Sequence, residues 1–147
     1  MADADPIVRE IYIDASPEEV FPYLTEGDRY SLWMGLVAEL DPRPGGIYRV
    51  QPDAQQVLRG KFLVVEPPRR VVFSWGFEGH GHAVPAGSTT VEIELTPQGE
   101  GTLLRLTHRG SPPERREPHV RGWTHYLERL EQVAAGRDPG PDSWASR

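Results

Sequence analysis

Val120, Trp123, Leu127, Leu130 and Ala134 recur at helical spacing near the end of a chain whose earlier segments alternate with the period of a strand. They form one apolar, Trp-bearing stripe of an amphipathic helix. Such a helix has to bury its stripe, and the partner at hand is a sheet made of the preceding segments. One long helix laid across a curved antiparallel sheet encloses an interior. Enclosed interiors are where small molecules bind.

Residues 7–14 alternate and read as the first strand, with Ile7, Arg9, Ile11 and Ile13 on one side. Ser16 is then a good N-cap, Pro17 suits the first helical position, and Glu19 completes a capping box. Val20, Phe21 and Leu24 give the short helix that follows its apolar face, with Pro22 inside its first turns. A second short helix is expected over 26–32, with Trp33 and Met34 past its end. Six further strands are expected at 36–40, 47–51, 57–66, 70–77, 88–96 and 102–108. Gly45-Gly46 supplies a tight turn, Gly60 reads as a bulge or bend, and Pro67-Pro68-Arg69 as a rigid corner. Residues 78–87 make the longest polar loop, and the long helix runs over 118–135 with Gly136 as its C′ cap.

Short connections favour sequential hairpins, and the first strand pairs at the far end of the meander. The fold class expected is therefore α+β: a sheet of about seven antiparallel strands curled around one long helix. A single domain covers 1–136, and 137–147 is expected to be a loose tail carrying Trp144.

The 147 residues suffice for one domain with its own core. Without cysteine there is no disulfide, thiol nucleophile or thiolate metal site. A net charge of −6 disfavours nonspecific nucleic-acid binding, and Arg115, Arg116 and Arg121 read as a solvated face. The acidic start has no apolar core and is not expected to act as a signal peptide, and no apolar run is long enough for membrane insertion. A cytoplasmic protein is expected, with a homodimer left open.

Four stretches carry a family likeness. They are Ile13-Asp14-Ala15-Ser16-Pro17-Glu18-Glu19-Val20-Phe21; Trp33 with Gly45-Gly46-Ile47-Tyr48-Arg49-Val50; Gly60-Lys61-Phe62 with Glu66-Pro67-Pro68-Arg69-Arg70-Val71-Val72-Phe73-Ser74-Trp75; and Leu106-Thr107-His108 with Gly122-Trp123 and Leu127. In these the chain resembles the bacterial relatives of the heat-shock-protein-90 ATPase activator C-terminal domain. That family sits in the SRPBCC superfamily with START lipid-transfer domains, birch-pollen allergens and polyketide cyclases. The resemblance implies a helix-grip (START-like) fold with a cavity between sheet and long helix. It implies no single activity, since related domains bind lipids, hormones and polyketides and some catalyse cyclisation or dehydration.

The side chains expected to line that cavity are Trp33, Met34, Tyr48, Phe62, Phe73, Trp75, Trp123, Tyr126 and Leu127, with Val64, Ile93 and Leu106 among them. His108 faces inward by strand parity, as a ligand contact or an acid–base group. His80-Gly81-His82 lacks the further ligands a metal needs, so neither metal nor cofactor is expected. No catalytic triad, nucleophile elbow or phosphate loop is legible. Binding of a small hydrophobic or aromatic molecule leads. A cyclase- or hydratase-type enzyme using the same cavity, or a chaperone-related interaction module, is the alternative.

Overall fold

Alternating β-formers and Pro/Gly punctuation give seven strands. The computed structural model describes residues 6–144. In chain order the elements are β1 (Ile7–Ile13), α1 (Pro17–Val20), α2 (Pro22–Thr25), α3 (Gly27–Tyr30), β2 (Val37–Leu40), β3 (Ile47–Gln51), β4 (Leu58–Glu66), β5 (Arg70–Trp75), β6 (Thr89–Gln98) and β7 (Gly101–Arg109). A 3-10 turn at Pro113–Arg115 then leads into α4 (Arg116–Ala134). All strand pairs are antiparallel, in the order β1-β7-β6-β5-β4-β3-β2. β1 closes the far end of the meander, with Ile7 opposite His108 and Ile13 opposite Thr102. The curved sheet carries α4 across it, as the α+β reading expects.

Three local expectations are corrected. The first short helix is split, because Pro22 has no N–H to continue α1; Phe21 ends α1 and α2 starts afresh with Pro22 at its first position. The register shift in β4 falls between Phe62 and Val64, not at Gly60. Gly60 instead marks a close approach: a Cβ there would lie 1.8 Å from the Ser74 carbonyl oxygen. α4 begins at Arg116, two residues before Pro118, since a proline in the first turn gives up only an N–H that has no intrahelical partner.

The capping box is present: the Ser16 hydroxyl accepts from Glu19 N–H, and the Glu19 carboxylate accepts from Ser16 N–H. Gly136, at φ 84°, follows the helix end as a C′ residue. One continuous core joins sheet, short helices and α4. Leu32, Leu36 and Val37 remain exposed beside edge strand β2. Among the described residues no helix is long and apolar enough to cross a membrane.

Candidate functional site

α4 meets the sheet differently along its length. Its C-terminal half seats Leu127 and Leu130 in the core. Its N-terminal half turns His119, Gly122, Trp123 and Tyr126 toward a cavity of about 400 Å³. Leu58 from β4, Trp75 from β5, and Phe77 and Val84 from the β5–β6 loop supply the opposite wall. Met34, the turn residues Pro52, Asp53 and Gln56, and Trp144 from beyond the helix close the sides. Met34, Leu58, Trp75, Val84, His119, Trp123 and Tyr126 are buried, whereas Gln56, His82, Ala83, Arg115 and Pro118 are exposed. Aromatic side chains thus border the hollow, and Gln56, His82 and Arg115 stand at its exposed edge.

Of the side chains expected to line a cavity, Met34, Trp75, Trp123 and Tyr126 do. Trp33, Tyr48, Phe62 and Phe73 lie elsewhere, in a filled aromatic cluster. Tyr48 stacks on Phe73 at 4.1 Å and meets Phe62 edge-on. Trp33 lies 4.5 Å from Tyr30, and its indole N–H donates to the Tyr23 carbonyl. The Tyr30 and Tyr48 hydroxyls share a hydrogen bond, and burial pushes both phenols up. Val64, Ile93 and Leu106 do not line the cavity either. Leu127 turns to the β1 flank, where it borders a separate hollow of about 130 Å³ with Ile11 and Thr124.

His108 is buried behind the cavity wall, and both its ring nitrogens are engaged. Thr89 donates its one hydroxyl proton to the Trp75 carbonyl at 2.7 Å. Its oxygen must therefore accept from His108 Nε2, 2.8 Å away. His108 Nδ1 in turn accepts the Trp123 indole N–H at 3.0 Å. The imidazole is held as one neutral tautomer, and burial, with His119 beside it, pushes its pKa down to about 3. These bonds join β6, β7 and α4, and burial keeps the ring neutral near pH 7.

His119 stacks on His108 at 5.2 Å, and its Nδ1 lies 2.9 Å from the Ser111 hydroxyl. Burial, then the Arg115 charge, lowers its pKa to about 4. The Trp75 ring stands edge-to-face to both imidazoles at 4.7 and 5.1 Å. Its indole N–H is buried without a hydrogen-bond partner among the described residues. Tyr126 is pushed up by burial and then by Asp142, so its phenol stays protonated. His80 and His82 are exposed, and the His82 ring stacks on Phe77. No group of three or more His, Asp or Glu among the described residues is placed to hold a metal.

Sequence reasoning missed His119, Gly122, Phe77 and Trp144. The signal for the first two was present: His119, Gly122/Trp123 and Tyr126 form a second stripe beside the apolar one, at i, i+3/i+4 and i+7. Of residues 137–147, the described part includes Asp142 and Trp144, which both reach His125. The Trp144 ring stacks on His125, because Asp142 reaches back to that histidine.

The sequence profile described as Activator of Hsp90 ATPase homolog 1-like protein matches residues 14–135. An AHSA1-like protein of Rhizobium etli, solved by solution NMR, is 45% identical over 100% of this chain and 93% of its own, with a TM-score of 0.75. CalU16 of Micromonospora echinospora is 29% identical over 89% of this chain and 76% of its own, with a TM-score of 0.72. The Aha1 dimer of Colwellia psychrerythraea shares the fold at 20% identity and a TM-score of 0.77, covering 95% of this chain and 100% of its own. No curated protein matches the sequence. A profile match over most of the length, on a curved seven-stranded sheet with its long terminal helix, makes the chain a member of the Activator of Hsp90 ATPase homolog 1-like family.

Proposed function

We propose that the chain binds a small hydrophobic or aromatic molecule in the cleft between the N-terminal half of α4 and the sheet. The observation that carries this reading is Gly122. It stands inside a 19-residue helix, where glycine costs roughly 1 kcal/mol relative to alanine. No packing neighbour requires it, because a Cβ there would meet nothing within 4 Å. It borders the cleft, and a bare backbone at that point keeps the cleft wide. The volume of about 400 Å³ lies in the range of small-molecule sites. Trp75, Trp123, Tyr126 and Phe77 offer aromatic faces and edges to a flat guest. A cytoplasmic setting goes with this function, as a monomer or a homodimer. Because His108 is engaged within the wall, simple binding is favoured over acid–base catalysis.

The test is a titration with the aromatic probe 1-anilinonaphthalene-8-sulfonate, by calorimetry, on wild type and Gly122→Leu. The wild type should bind, and the leucine should weaken binding by about tenfold or more by filling the cleft. No binding by the folded wild type, or equal affinity in both proteins, would overturn the proposal. Native mass spectrometry of freshly purified protein would then identify any retained natural guest.

A further inference from the structure

We propose that the segment after α4 is a wall of this binding site, a strap that sets the Trp144 indole against the guest and is held in place by Asp142. This rests on the cleft being a binding site, as proposed above. Trp144 borders the cleft, although it lies ten residues past the end of α4 (144 against 134). Its ring stacks on His125 at 4.2 Å and 3°, and meets Tyr126 edge-on at 6.0 Å. Tyr126 lies one helical turn from Gly122, so the indole sits at the side of the cleft where the helix is bare.

The Asp142 side chain is 6% exposed. Its Oδ1 accepts the Trp144 N–H at 2.9 Å and lies 2.8 Å from His125 Nε2. That one carboxylate oxygen therefore orients both partners of the stacked pair. At the other end, Arg137 pairs with Glu131, and its N–H donates to the Gln132 carbonyl at 2.8 Å. Between these anchors the strap lies outside the sheet and helix ladders, so it can open without opening the core.

A guest that touches Trp144 does so only with the strap docked, and so favours docking. By linkage, docking must raise affinity for the guest by the same factor. The chemistry selected is a flat aromatic body, able to lie against an indole plane.

Trypsin reports docking directly, because cleavage after the exposed Arg137 releases 138–147. With saturating 1-anilinonaphthalene-8-sulfonate, intact-mass spectrometry should show that cut slowed about fivefold or more. Trp144→Ala should lose both the protection and about fivefold or more in affinity, while Trp144→Phe keeps most of each. Equal cleavage rates with and without the probe, or wild-type affinity in Trp144→Ala, would overturn the strap. If Gly122→Leu still blocks binding in that case, the cleft survives alone. A wild type that binds no probe would overturn both.

Discussion

His108 shows what parity delivers for a single residue. A strand's period of two says which face a side chain takes. It does not say whether that face meets a space or a wall. Here the ring sits one layer back, bonded to Thr89 and Trp123. A site residue at the surface of a cavity could be cut to alanine with the fold intact. A clamp cannot, because the change strands the Trp123 N–H and leaves a void. His108→Ala should therefore cost about 2–4 kcal/mol, read from urea unfolding with an unchanged m-value. A loss under about 1 kcal/mol would contradict the clamp. The same limit explains Tyr48, Phe62 and Phe73: their inward orientation was legible, but the rings that fill the space around each come from other strands. Trp33 follows no strand parity and packs on Tyr30 three residues before it.

Among elements, α4 carries most of the meaning. The stripe through Trp123, Leu127 and Leu130 was readable because hydrophobic periodicity reports burial. The adjacent line of His119, Gly122 and Tyr126 is mixed in polarity, and mixed lines resemble solvent faces. A direct consequence is testable. Gly122→Ala restores helix propensity and adds a methyl that meets nothing, so it should stabilise the protein by about 0.5–1 kcal/mol in urea. Leucine at the same place should instead show its effect on binding. The first helix offers a second check. Ser16→Ala removes the hydroxyl half of the capping box and should cost about 1 kcal/mol by thermal or urea unfolding. Pro22 divides that region because a missing donor outweighs a continuous apolar face over so short a span.

For the whole molecule, burial of two imidazoles sets the response to acid. His108 and His119 fold with pKa values of about 3 and about 4, against an unfolded value of about 6.5. Between those values the unfolded chain binds more protons, so stability falls as pH drops. The loss begins near pH 6.5 and reaches about 2 kcal/mol per histidine at pH 5. Glu19 and Glu78, lowered by their hydrogen bonds to Ser16 and Arg49, lose their contribution only at more acid pH. Urea midpoints should therefore decline from pH 7 to pH 5 in the wild type. The decline should be shallower in His119→Gln. A flat profile over that window would contradict buried neutral histidines.

Strand periodicity, turn residues and the one long amphipathic stripe determined, from the sequence alone, that a meander of strands would be spanned by a helix and closed by β1. The strand period, the turns and the helical stripe are local, each set by residues within a few positions of one another, and the place of β1 follows from the order of the sequential hairpins. Tertiary structure alone decided where the interior stays open. Packing is a balance of volumes contributed by distant segments. At the Tyr48–Phe73 end rings fill the space, and at the Gly122 end a missing side chain and a returning Trp144 leave and border it.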